Sequence, residues 1–218
     1  MRTYTIGYIS HDFVVFDKYL GPSLDSLDGD FVVISTSDKA YPAENYNTII
    51  SCCDTDYLIL THQDVSFPPN LLSEIDKTID IVGEESLGVL GMVGMHPDHP
   101  YLQLHSTADR IHLVDTVDCC FAVVNPRLNA RFDSENFGEY HLYVEDYCAQ
   151  MNRTLGRKNY TILIESGGEI MDSNNNDGFV RDKLRHHSAT VSKLGSAWGR
   201  YWEFRDVLTK KWGKIKTT

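Results

Sequence analysis

Short runs of β-branched and aromatic residues alternate with helix-period segments through the first half of this chain, and that alternation limits the fold more than any other feature. Residues 5–9 and 31–35 read as strands, followed by YLILT at 57–61 and a glycine-containing run at 87–95. Between them, residues 43–51 predict a helix behind Pro42. Residues 69–82 predict a second, because Leu72, Ile75, Ile79 and Val82 recur at helical spacing. Strand, helix, strand, helix at these separations requires crossover units, hence a mainly parallel central sheet flanked by helices. Such sheets place ligands outside the carboxyl ends of their strands.

The second half is less regular. Residues 111–114 and 117–124 predict two strands close in sequence, the source of a smaller antiparallel element. Residues 144–156 predict a helix closed by Gly156, residues 160–164 another strand, and residues 167–178 a loop by composition. No linker divides the 218 residues. A single α/β domain of that length buries roughly 70% of the surface its unfolded chain exposes, enough for a core without disulfide or metal staples.

The formal net charge of −11 argues against a nucleic-acid-binding protein, which would show a basic face. Only the end, RDVLTKKWGKIKTT, is locally basic. It reads as a solvated tail, or as a segment that folds over phosphates or touches an anionic membrane surface. The five cysteines (Cys52, Cys53, Cys119, Cys120, Cys148) show no CxxC spacing and fit buried thiols in a reducing compartment. With no signal-peptide core and no apolar run of membrane-spanning length, the expected location is the cytoplasm.

Four constellations carry the candidate chemistry. In THQDV a buried strand runs straight into His62, Gln63 and Asp64. A carboxylate and an imidazole there suit Mn²⁺, or Mg²⁺ with more water; equally, Asp64 could cap the next helix with His62 packed under the sheet. Glu145 and Asp146 open a predicted helix, where they favour the macrodipole or supply a general base. Phe137, Tyr140, Tyr143 and Tyr147 could bury that base and raise its pKa. His186 and His187 are adjacent and point different ways, so at most one joins Asp64, while Arg181 and Arg185 nearby suit phosphate oxygens. Asp118 is an acid inside an apolar run, costly unless paired or used.

Taken in order, these motifs resemble the HQDV-motif group of family-2-like glycosyltransferases, with the A-type (nucleotide-diphospho-sugar transferase) fold. AENYNTII resembles the segment whose asparagine, here Asn47, precedes the metal strand. LGVLGMVG resembles the central glycine-rich strand, and VDTVDCCFAVVNPRL the strand carrying an acid. YHLYVEDYCAQMNRTLG resembles the helix holding the catalytic base; HHSATVSK and KKWG resemble the late histidine–serine segment and the terminal lysine–tryptophan. The resemblance covers residues 3–213. It departs at one place: the usual aspartate-x-aspartate metal motif is His62-Gln63-Asp64 here.

The resemblance implies a metal-dependent transfer of a sugar from a nucleotide-diphosphate donor, UDP most commonly, to an acceptor hydroxyl on a glycan, with inversion. Residues 1–95 would bind the donor and residues 96–218 the acceptor. Asp64 would hold the Mn²⁺ or Mg²⁺, with His186 or His187 as a late ligand and His62 as ligand, neighbour or sugar contact. Asp38 would meet the base or ribose, Asn47 and Gln63 the donor, and Asp118 the sugar or its phosphate bridge. Arg181, Arg185 and Lys193 would add positive charge, and Asp146, with Glu145 beside it, would take the acceptor proton. A nucleotidyltransferase would want a basic glycine-rich loop near the first strand, which TIGYISHDFVVF lacks. A metal hydrolase would not need Glu145 and Asp146. A catalytically silent glycan- or nucleotide-binding module is the non-enzyme alternative, with Trp198, Tyr201, Trp202 and Trp212 as a sugar platform or, more simply, as packing for the C-terminal segment.

Overall fold

The computed structural model describes residues 2–37, 41–99, 101–137, 142–170, 183–188 and 200–217. In chain order the elements are β1 (Tyr4–Ser10), α1 (Phe13–Lys18), α2 (Leu20–Ser26), β2 (Phe31–Ser37), α3 (Pro42–Cys52), β3 (Tyr57–Thr61), β4 (Val65–Ser66), α4 (Leu71–Val82), β5 (Leu87–Gly91), β6 (Val93–Met95), β7 (Gln103–His105), β8 (Leu113–Val114), β9 (Phe121–Val124), α5 (Tyr143–Ala149, extended by a π-helical turn, Gln150–Thr154), β10 (Lys158–Thr161), β11 (Gly168–Ile170), β12 (Leu184–His186) and α6 (Tyr201–Trp212).

The central sheet has seven strands in the order β2-β1-β3-β9-β5-β10-β8. Strands β2, β1 and β3 run parallel, β9 runs antiparallel between β3 and β5, and β10 is parallel to β5. Strand β8 runs antiparallel at the edge. Two small sheets complete the fold, β11-β12-β4 and the β6–β7 hairpin. It is the expected α/β architecture, mainly parallel in the centre with small antiparallel parts. Alternate side chains of β3 serve opposite faces. Leu58 and Leu60 pack with Ile49 of α3, Tyr147 of α5 and Phe204 of α6; Tyr57 and Ile59 pack with Leu71, Ile75 and Ile79 of α4. All of β3 is buried, as a strand covered on both faces must be.

Several local expectations are corrected. The run 87–95 is two strands, not one. A Cβ on Gly91 would stand 2.4 Å from the Val117 Cβ, so the passing 116–120 segment crowds the sheet and β6 turns away to pair with β7. Only residues 121–124 of the expected 117–124 strand are strand; Asp118 accepts from the Cys120 amide and turns the chain just before them. Gly168–Ile170, read as loop, is strand. The basic end is a helix, α6, with Phe204 and Leu208 buried. Helices α1 and α2 went unread: α1 has no buried residue, and α2 carries Gly21 and Pro22 in its first turn. No helix among the described residues is long and apolar enough to cross a membrane.

Candidate active site

β3 delivers the site. Beyond Thr61 the His62 amide donates to the Cys120 carbonyl at 3.0 Å, which keeps the chain against β9 for one more residue. Gln63 then binds the neighbouring loop: its Oε1 accepts from the His11 amide at 2.8 Å and the Asp12 amide at 3.0 Å. The turns after β1 and β3 are thereby fixed to one another. Gln63 Nε2, also buried, has no partner among the described residues. A cleft of about 410 Å³ opens at the carboxyl ends of β1 and β2, lined by Ser10, His11, Phe13, Ser35, Thr36 and Ser37. That is where a parallel sheet is expected to take a ligand.

His62, Asp64 and His186 converge, each offering a ligand atom within 4.8 Å of the others. Asp64 is fully buried, and His186 Nε2 lies 3.3 Å from its Oδ1. Both ring nitrogens of His186 are buried without a hydrogen bond among the described residues. Burial drives the His62 imidazole down to about 4 against the pull of Asp64, so His62 is neutral and able to ligate. Burial pushes His186 the same way, but the Asp64 carboxylate outweighs it and holds that imidazole above its ordinary value. Two imidazoles and a carboxylate make a donor set suited to Mn²⁺ and its neighbours. Ligands about 2.1 Å from one ion stand at most about 4.2 Å apart, so a shift of about half an ångström closes the set. The residues fit a divalent cation.

Of the two adjacent histidines, His187 lies apart from this cluster. Its Nε2 sits 2.8 Å from Ser66 Oγ, its ring stacks on Tyr19 at 4.1 Å, and its amide donates to the Asp64 carbonyl. The pairing of β12 with β4 sets this: Arg185 faces Ser66 and His186 faces Val65 in register, so successive side chains go to opposite sides. Arg185 donates through Nε and Nη2 to Glu169 at 3.1 Å and 2.6 Å. Asn47 clamps a loop: it donates to the Phe132 carbonyl and accepts from the Phe132 amide. Asp118 stays beside the cluster, and its charge is felt at both His62 and His186. Asp38, Tyr140, Arg181, Lys193 and Trp198 lie outside the described residues.

Glu145 and Asp146 occupy the first turn of α5, both buried. Glu145 acts electrostatically on the Cys119 thiol, next to Asp118; burial first, then these charges, holds that thiol well above its ordinary value. Asp146 faces the C-terminal helix. Its Oδ1 accepts from Trp212 Nε1 at 2.6 Å and meets Lys211 Nζ at 2.8 Å, and its Oδ2 accepts from Gln150 Nε2 at 3.0 Å. The sequence marked Lys211 through the basic end and the KKWG likeness, and Trp212 also as a candidate platform or packing ring; nothing in their spacing showed that they meet Asp146. Among the described residues the non-glycine positions with left-handed backbone are Leu142 and Ser188, one directly before α5 and one directly after His187. Each costs of order 1–3 kcal/mol and persists only where its surroundings impose it, a pattern that gathers at functional sites.

No protein-family model and no curated protein matches this sequence. Solved structures do. Residues 1–349 of S. aureus TarS superpose with a TM-score of 0.57 at 10% identity, over 100% of this chain and 67% of that one. The same protein in complex with UDP-GlcNAc gives 0.52 at 12% identity, over 87% of this chain and 61% of that one. The mannosyltransferase PcManGT from Pyrobaculum calidifontis, in complex with GDP-Man and Mn²⁺, gives 0.50 at 10% identity, over 73% of this chain and 54% of that one. The chain thus spans about half to two thirds of the length of these structures. The likeness establishes the fold, a glycosyltransferase-type α/β fold.

Proposed function

We propose that the chain is a metal-dependent glycosyltransferase that moves a sugar from a nucleotide-diphosphate donor, UDP-linked in the first instance, to a hydroxyl of a glycan acceptor. The observation that carries the reading is the convergence of His62, Asp64 and His186 at the end of β3, beside the cleft at the ends of β1 and β2. The solved structures that share the fold include complexes with UDP-GlcNAc and with GDP-Man and Mn²⁺. In this reading residues 1–95 form the donor side and residues 96–218 the acceptor side.

His62, Asp64 and His186 would hold Mn²⁺ or Mg²⁺; when bound, the cation supplies Lewis-acid charge stabilisation to a departing diphosphate. Gln63 holds the loop after β1 against the metal turn and so fixes one wall of the donor cleft. The acceptor oxygen bonds to the anomeric carbon from the face opposite the diphosphate. The anomeric carbon–oxygen bond breaks, its electron pair leaves with the diphosphate, and the acceptor proton passes to a carboxylate. A single displacement inverts configuration. The carboxylate comes from α5, and a positioned base contributes about 10²–10⁴ in rate. Of the pair, Asp146 accepts from Trp212, Lys211 and Gln150, and Glu145, buried beside it, adds its charge with Asp118 at the Cys119 thiol.

The test is calorimetry with Mn²⁺ and UDP, followed by incubation with a panel of UDP- and GDP-sugars and assay for slow donor hydrolysis. Mn²⁺-dependent UDP binding with turnover of one donor is expected. Tight binding without any turnover identifies a binding module of the same fold, and UDP affinity indifferent to Mn²⁺ overturns the reading.

A further inference from the structure

Phe204 and Leu208 are buried and explain how α6 packs. They do not explain why its last two residues turn a cation and an indole N–H onto a fully buried carboxylate. Trp212 and Lys211 both reach Asp146 Oδ1, and the same Lys211 Nζ reaches Asp133 Oδ2 at 2.7 Å. Asp133 is itself braced by the Asn136 amide at 3.0 Å and side chain at 2.8 Å. Gln150 ties the far oxygen of Asp146 to the Arg131 carbonyl.

The chain leaving α6 continues the lacing. Arg153 donates to the Lys214 carbonyl, the Lys216 amide donates to Asp115, Thr116 donates to the Lys216 carbonyl, and the Tyr201 hydroxyl pairs with Thr217. The C-terminal segment thus grips both the helix that carries Glu145 and the strand approach that carries Asp118. A solvated tail needs none of these contacts.

We propose that α6 and the residues after it form a strap in which Lys211 and Trp212 are positioning residues, buckled on Asp146, that set the acidic pair at the start of α5. The strap stands on the contacts alone; its catalytic consequence rests on the glycosyltransferase reading. A carboxylate can accept from Trp212, Lys211 and Gln150 at once because both its oxygens are charged acceptors. Asparagine at the same place keeps the shape but loses the charge and one acceptor oxygen, so the hold on α6 weakens without a cavity.

Amide hydrogen exchange on the full chain tests the strap. Asp146→Asn and Lys211→Met should each speed exchange across Tyr201–Trp212 by roughly tenfold to a hundredfold, the size of one charge-assisted hydrogen bond. The double variant should fall short of the sum of the two singles, because both remove the Lys211–Asp146 contact, while Lys211→Met alone also frees Asp133 and Asp146→Asn alone also weakens the hold of Trp212. Unchanged exchange in Asp146→Asn, or additive effects in the double variant, overturns the strap. Should Asp146→Asn not fold, Trp212→Phe removes the N–H donor along with part of the ring beneath Lys211 and is expected to loosen the same amides; full protection there also overturns it. With a donor that is turned over, Lys211→Met should lower kcat at unchanged donor KM, and Lys211→Arg should restore it. A rise in donor KM instead, or no rescue by Arg, overturns the positioning role. A wild-type chain that turns over no donor overturns the glycosyltransferase reading, while exchange still decides the strap.

Discussion

His186 Nε2 stands 3.3 Å from Asp64 Oδ1, while the next residue, His187, turns to Ser66 and Tyr19. One peptide unit on β12 separates a candidate ligand from a packing residue. His186→Ala should weaken Mn²⁺ binding by at least about tenfold to a hundredfold by calorimetry, the range seen when a metal site loses a supporting group. His187→Ala should leave Mn²⁺ affinity within about twofold, because it takes away a stacked ring and a hydrogen bond, not a donor. The reverse pattern would exchange their roles.

Glu145→Gln should lower sugar transfer by about 10²–10⁴, the contribution of a positioned base. Mn²⁺-dependent UDP affinity should not change, since the residue lies on α5 and not in the β3 turn. Amide exchange over α6 should stay as in the wild type, which separates this variant from Asp146→Asn. Full activity in Glu145→Gln would leave Asp146 as the base.

The parts of the fold that could be read were those whose hydrophobic pattern is set by one sheet. β3 is an apolar run because both its faces are covered, and α4 shows its period because only one of its faces is. Helix α1 has no buried residue, and α6 buries only Phe204 and Leu208 among many charges, so neither displays a period. The break between β5 and β6 depends on Val117 crowding Gly91, a contact between distant residues. The site divides the same way. His62 and Asp64 stood out because polar residues follow a buried strand at once. Which of two adjacent histidines turns inward is decided by register with β4, and the meeting of Trp212 with Asp146, 66 residues apart, is purely tertiary.

Asn159 is buried and fastens three segments, β5, the Asp115 turn and α5. Its Oδ1 accepts from the Val89 amide at 3.1 Å, and its Nδ2 donates to the Asp115 carbonyl at 2.9 Å and the Cys148 carbonyl at 3.2 Å. Asn159→Ala leaves an amide and two carbonyls of β5, the Asp115 turn and α5 to find new partners. Each orphaned group costs about 1–3 kcal/mol. Urea unfolding should show a loss of about that size or more with an unchanged slope; a loss well under 1 kcal/mol would mean that water or a shifted backbone satisfies them.

The strap also predicts its own acid sensitivity. Burial pushes the Asp133 carboxyl up, but hydrogen bonds from Lys211 and Asn136 and the Lys211 charge outweigh it, so the folded value lies below the ordinary 3.8. Lys211 is moved the other way: burial lowers it, yet Asp133 and Asp146 together hold it above its ordinary 10.5. A depressed carboxyl contributes stability that is complete above its unfolded value and is lost as pH falls through the folded one. A raised ammonium contributes stability that is complete below its unfolded value and is lost only as pH rises through the folded one. The Asp133–Lys211 contact is therefore constant through neutral pH and fails first in acid. Exchange over Tyr201–Trp212 should be flat from pH 8 to about pH 5 after correction for the intrinsic rate, and should rise below about pH 4, where carboxylates protonate. In Asp133→Asn that acid rise should shrink, since the titrating group has gone. An acid limb of equal size in the variant would assign the opening to other carboxylates and leave Asp133 a bystander to the clamp on Asp146.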